Sequence, residues 1–160
     1  MITYIIIGIT VLVSYLCFNN AELFRKLALI PYRTVKNNEW YRLITHGFVH
    51  ADMTHLLVNM FTFWSFGTYI EKVFGYLGFG IWGFLGLYFG GMIFASIYDL
   101  VKHYNDPYYV SIGASGAVSA VLFSYILFDP WSKILLFAII PVPGIIFGVV
   151  YLAYCQYMAK

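Results

Sequence analysis

Gly113-Ala114-Ser115-Gly116-Ala117-Val118-Ser119-Ala120-Val121-Leu122-Phe123-Ser124-Tyr125-Ile126-Leu127-Phe128 is an apolar run that opens on a serine flanked by glycines and closes at Asp129-Pro130. As a helix, Ser115 to Phe128 spans about 21 Å at ~1.5 Å per residue, short of the ~30 Å hydrocarbon core of a bilayer. If Asp129 marks one membrane face, Ser115 lies about 10 Å inside the other. The residues from Val110 to Ala114 then enter the membrane without helical hydrogen bonds, which is tolerated only inside protein or along a watery cavity. Gly116, Ala120 and Ser124 recur every four positions, so one face can be closely approached by neighbours. A small packing serine is the plainer reading of Ser115. A nucleophile in a water-filled cavity is the sharper one.

Composition sets the surroundings. Of 160 residues, 62% are hydrophobic and 10% charged, with a mean hydropathy of +0.80; a soluble domain is far more charged. These values predict a multi-pass integral membrane protein. The length allows five or six crossings in a single domain over 1–160, with the lipid bilayer as its surroundings. A net charge of +2 gives no reason to expect nucleic acid as a partner. Cys17 and Cys155 lie in apolar runs and are expected to pack rather than pair.

Five apolar blocks follow. Residues 1–18 form a first crossing, Ile2 to Phe18, without the basic start of a cleaved signal. Residues 19–54 form an interfacial loop whose stretch from Asn19 to Thr45 mixes five basic residues with leucines and aromatics, as short amphipathic helices at headgroup depth would. Residues 55–160 carry crossings two to five: His55 to Ile70, then the glycine-rich Leu77 to Tyr98, then Ser115 to Phe128, and finally Trp131 to about Tyr157, interrupted by Pro141-x-Pro143-Gly144.

His46, His50, His55 and Asn59 cluster at the entrance to the second crossing. His55 and Asn59, four apart on a helix, share one face and can both donate to one oxygen, as stabilisation of an oxyanion requires. His46 and His50 can brace the loop that enters the helix. Interfacial histidines satisfied by water and backbone remain an alternative. So does a metal site, since His46-x-x-x-His50 has ligand spacing with Asp52 nearby, although no metal or cofactor is expected.

Glu39-Trp40-Tyr41-Arg42, Thr45-His46-Gly47-Phe48-Val49-His50, His55-Leu56-Leu57-Val58-Asn59-Met60, Gly67-x-x-x-Glu71-x-x-x-Gly75 and Gly113-Ala114-Ser115-Gly116, in that order, resemble the signature of rhomboid intramembrane serine proteases. The resemblance implies an all-α, polytopic transmembrane bundle with five of the usual six helices. Ser115 would be the nucleophile. Its own N–H, His55 and Asn59 would form the oxyanion hole, supported by His50, His46, Gly113 and Gly116. Transmembrane proteins would be the substrates, entering beside the fifth helix where Pro141, Pro143 and Gly144 weaken it, an ordinary kink being the alternative reading of those prolines, and the expected location is a plasma membrane of bacterial type. A rhomboid takes its general base from a histidine on the sixth helix. No histidine follows His103 here, and His103 has no spacing that would bring it to Ser115. The expectation is therefore a core lacking its last helix, weakly active or inactive by itself, with a client-binding pseudoprotease as the alternative. The implied cytoplasmic N-terminus puts the basic loop outside, against the positive-inside tendency.

Overall fold

The computed structural model describes residues 1–136 and 139–158, and the protein is mostly helical. Two compact units divide the chain, Met1–Val121 and Leu122–Lys160.

The first unit opens with α1, Ile2–Phe18. Thr3, Thr10, Ser14 and Cys17 are all buried on this helix; their spacing of three, four and seven marks a single inward face. Glu71, near the end of α5 (Met53–Tyr76), caps the start of α1. Its carboxylate accepts from the backbone N–H of Ile2 at 2.7 Å and of Thr3 at 3.1 Å, and from the Thr3 hydroxyl at 2.7 Å. Unpaired N–H groups at a helix start favour such an anion, so α1 and α5 are pinned together at this end.

Between them the interfacial loop folds into α2 (Ala21–Leu27), α3 (Pro31–Lys36), α4 (Arg42–Thr45) and a single 3-10 turn, His46–Phe48. The last carbonyls of α2 and its cap need partners, and side chains of the α4 segment supply them. Arg42, 1% exposed, donates to the carbonyls of Arg25 (2.8 Å) and Ala28 (2.6 Å). Tyr41 donates to that of Lys26 (3.3 Å) and Thr45 to that of Leu27 (2.7 Å). Glu39 balances the guanidinium at 2.5 Å and also accepts from Arg33 at 2.8 Å. Burial pushes the Glu39 carboxyl up, but bonds and charge from Arg42 and then Arg33 outweigh it and hold it below the usual carboxylate range.

α5 begins at its Asp52 cap, which accepts from the His55 N–H at 2.8 Å. It runs past the expected end at Ile70, because Glu71 and Lys72 continue a helix as readily as they end an apolar run. α6, Gly80–His103, likewise starts and ends later than expected, and it carries Lys102 and His103 in its last turn, where the helix dipole favours cations. Phe63 of α5 packs on Phe84 and Tyr88 of α6, with ring centroids 6.1 and 4.8 Å apart; all three are fully buried. α7, Ser115–Phe128, starts at the residue the sequence indicated. Its Gly116 faces Ala95 of α6, and Gly91 of α6 faces Ala120. A Cβ added at either glycine would lie 2.5 Å from the opposing alanine Cβ, so small residues set this backbone approach.

In the second unit the expected fifth crossing from Trp131 is corrected. Lys133–Leu136 and Ile140–Pro143 form an antiparallel strand pair, β1 and β2, and α8 begins only at Gly144 and runs to Met158. Pro141 and Pro143 cannot donate helical hydrogen bonds; two apart on a strand, they turn the same edge outward, where a missing N–H is harmless. They therefore do not weaken a helix. Residues 137–138 and 159–160, also part of or beyond that expected crossing, lie outside the described residues. Among the described helices, α6 is long and apolar enough to cross a membrane; α1, α7 and Gly144–Ala153 of α8 are apolar but shorter. The expected count of five crossings thus goes beyond what helix length and composition establish.

Candidate active site

Ser115 is the first residue of α7 and is exposed. Residues 111–114, the strap leading into it, are held from three sides. Leu29, just after α2, exchanges two backbone bonds with Ser111, N to O at 3.0 Å and 2.9 Å. The His46 carbonyl accepts from the Gly113 N–H at 3.0 Å. His50 Nε2 faces the Ala114 N–H at 3.5 Å.

The hydrogen bonds decide the state of these histidines. Ser14 on α1 donates its single proton to the Phe48 carbonyl (2.8 Å), so its lone pair meets His50 Nδ1 at 2.9 Å. His50 therefore carries its proton on Nδ1 and offers Nε2 as the acceptor to Ala114. Burial, and then the charge of His55, push His50 down to about 4 against the opposing pull of Asp52. It is neutral at physiological pH. His46 donates Nδ1–H to the Arg42 carbonyl at 2.8 Å, with Ser96 at 3.3 Å from Nε2; burial lowers it too, partly offset by that bond and by Asp99.

Depressed histidines make stability depend on pH with a definite sign. As pH falls below about 6.5 the unfolded chain takes up protons that native His46 and His50 refuse, so stability drops progressively towards pH 4. Thermal denaturation of the protein in detergent should show a lower melting temperature at pH 5 than at pH 7.5. His50→Ala should melt lower at pH 7.5 and lose less between the two. An unchanged pH difference in the variant would remove His50 from this role.

His55 stands against the strap. Its ring lies edge-on to His50 with centroids 4.9 Å apart, and a Cβ added at Gly113 would come within 2.9 Å of its Cε1. Gly113 also has φ +106, a conformation that favours glycine. Two independent constraints thus select glycine two residues before the serine. Asn59, one turn on from His55, donates to the His55 carbonyl at 3.0 Å. His46, Gly113, Ser115 and Gly116 line one cavity of about 110 Å³ together with Ser96 and Asp99. The structure accordingly gathers His46, His50, His55, Gly113 and Ser115 around the strap, while the bond made by Asn59 lies within its own helix.

Four contributors escaped the sequence reading: Ser14, Ser96, Asp99 and Tyr109. Ser14 was findable, since Thr3, Thr10 and Ser14 share one face of an apolar helix. The others were not, because their roles come from distant partners. Tyr109 donates to Asp99 at 2.9 Å and stacks on His103 at 3.6 Å; burial, and then the bond and charge of Asp99, raise the phenol to about 12.

A serine at the start of a helix, behind a histidine-braced strap in an apolar helical chain, defines a helical protein with a candidate serine centre. A family model described as Rhomboid domain matches residues 37–160. This chain belongs to the rhomboid family, whose members are integral membrane proteins. It is 29% identical over 154 residues to RHOMBOID-like protein 12, mitochondrial, of Arabidopsis thaliana, covering 87% of this chain and 44% of that protein. It is 39% identical over 92 residues to putative rhomboid protease YdcA of Bacillus subtilis (strain 168), covering 58% and 43%. To rhomboid protease GluP of the same organism it is 31% identical over 125 residues, covering 75% and 23%. The chain spans less than half the length of each of these relatives.

Proposed function

We propose that this chain forms the core of an intramembrane serine endopeptidase that cuts transmembrane protein substrates. The carrying observation is that α7 starts at Ser115 behind a strap held by His46 and His50, with the His55 ring packed on Gly113. In this reading Ser115 Oγ attacks the scissile carbonyl, and the developing oxyanion is met by the Ser115 N–H, His55 and Asn59. The tetrahedral species collapses to an acyl-enzyme ester as the amine leaves with the serine's proton, and water then hydrolyses the ester. The chain works as a five-crossing, multi-pass protein without a cofactor, and a plasma membrane of bacterial type is its proposed site.

The serine proton needs an acceptor. His46 is held through Nδ1 by the Arg42 carbonyl and His50 through Nδ1 by Ser14, His103 stacks on Tyr109, and His55 is assigned to the oxyanion. The second reading is a pseudoprotease that holds transmembrane clients without cutting them. The test is cleavage of a model single-pass substrate in liposomes, by the 160-residue chain and by the same chain extended with a glycine-rich helix bearing a histidine. Slow or absent cutting by the first and robust cutting by the second is the expected result. Robust cutting by the unextended chain would mean that one of the four histidines serves as base. Binding without cutting by both would favour the pseudoprotease.

A further inference from the structure

The interfacial loop carries a second concavity that the serine chemistry does not use. It is a pocket of about 490 Å³ lined by Arg25 and Lys26 of α2, Arg33 of α3, Tyr41 and Ile30, with Glu22 adding an acidic group. That volume is within the range of small-ligand sites. Arg25, Lys26 and Arg33 are exposed, whereas Ile30 is buried at its apolar wall.

The cationic charge here is undercompensated. One carboxylate, Glu39, serves both Arg33 and the buried Arg42. Arg25 and Lys26 make no ion pair among the described residues. Four cationic side chains, Arg25, Lys26, Arg33 and Arg42, thus line one hollow against Glu22 and the shared Glu39, which leaves a net positive charge for an anion to meet. Guanidinium groups offer forked donors that match phosphate oxygens, and lysine adds a point charge.

The neighbouring residues say where that anion resides. Tyr41 in the lining and its chain neighbour Trp40 are 45% and 50% exposed, and exposed tryptophan and tyrosine in a membrane protein sit at headgroup level. Basic clusters at that depth attract anionic lipids. We propose that this pocket binds the phosphodiester headgroup of an anionic phospholipid, with Arg25 and Lys26 as its principal donors. The assignment does not depend on Ser115 being a nucleophile. It also relieves the conflict with the positive-inside tendency, because the basic residues of the loop engage lipid instead of acting as a free tether.

The test uses the full chain in nanodiscs containing equal parts phosphatidylglycerol and phosphatidylcholine, with retained lipid counted by native mass spectrometry. Each basic residue near an anionic surface strengthens attachment about five-fold. Wild-type protein should therefore retain phosphatidylglycerol over phosphatidylcholine by roughly ten-fold or more, and R25Q/K26Q should lose most of that preference. Lys72→Gln, at an exposed site near the end of α5, should keep it. Phosphatidylglycerol should also raise the melting temperature of wild type more than that of R25Q/K26Q, a readout that checks the fold of the variant. Equal retention of the two lipids by wild type, or an undiminished preference in R25Q/K26Q, would overturn the proposal. Displacement of the lipid by millimolar inorganic phosphate would reassign the pocket to a soluble phosphate.

Discussion

Ser115→Ala, made in the form extended by a histidine-bearing helix, is expected to reduce substrate cleavage by at least about a thousand-fold, because loss of the nucleophile leaves only oxyanion stabilisation and binding. The substitution removes one exposed hydroxyl at the start of α7 and no hydrogen bond found among the described residues. Its melting temperature should therefore stay within a degree or two, roughly the effect of an ordinary surface change. This pairing of lost activity with kept stability separates a nucleophile from a packing serine. Cleavage by the alanine variant at the extended wild-type rate would sink the protease mechanism. A large drop in melting temperature would instead assign Ser115 to packing.

Arg42→Met should be the most damaging single change to the fold. The methionine fills much of the volume but leaves the Arg25 and Ala28 carbonyls without their donor and the Glu39 carboxylate with Arg33 as its remaining partner. Breaking a buried pair by removing one member costs about 3–5 kcal/mol, a large fraction of a total stability of about 5–15 kcal/mol. Arg42→Lys should recover only part of the loss, because one ammonium on a flexible stem cannot reproduce the fixed fork of donors. Thermal denaturation in detergent, with limited proteolysis of the interfacial loop, reads both effects. A wild-type melting temperature in Arg42→Met would show that the α2 carbonyls find other partners. Cleavage should fall with stability in this variant, unlike in Ser115→Ala, because the loop and the strap share the Leu29–Ser111 bonds.

Much of this arrangement was legible in the sequence where the signal is local. The start of α7 followed from Gly113-Ala114-Ser115-Gly116 and the distance to Asp129. The shared face of His55 and Asn59 followed from their spacing of four, and the short interfacial helices from alternating basic and apolar residues. The strand pair 133–136 and 140–143 is not legible because a hydrophobic run reads alike as helix or strand, and two prolines that would weaken or kink the one form an edge of the other. Arg42 lay within a motif that was noticed, but its work is to end α2, and no spacing reveals which distant carbonyls a side chain will cap. His50 was named as support. Its tautomer depends on Ser14, which belongs to another helix.

The bonds that hold the strap also bear on how the molecule is built. Leu29 with Ser111, His46 with Gly113 and His50 with Ala114 each join segments made far apart in time during synthesis. The helices can form within their own stretches of chain, but closing such long loops comes late, since its entropic cost precedes any reward. A chain caught halfway through synthesis would have its helices and lack the framed serine. On the reading proposed here, the membrane into which it is being inserted is thus spared a working peptidase until the whole core has come together.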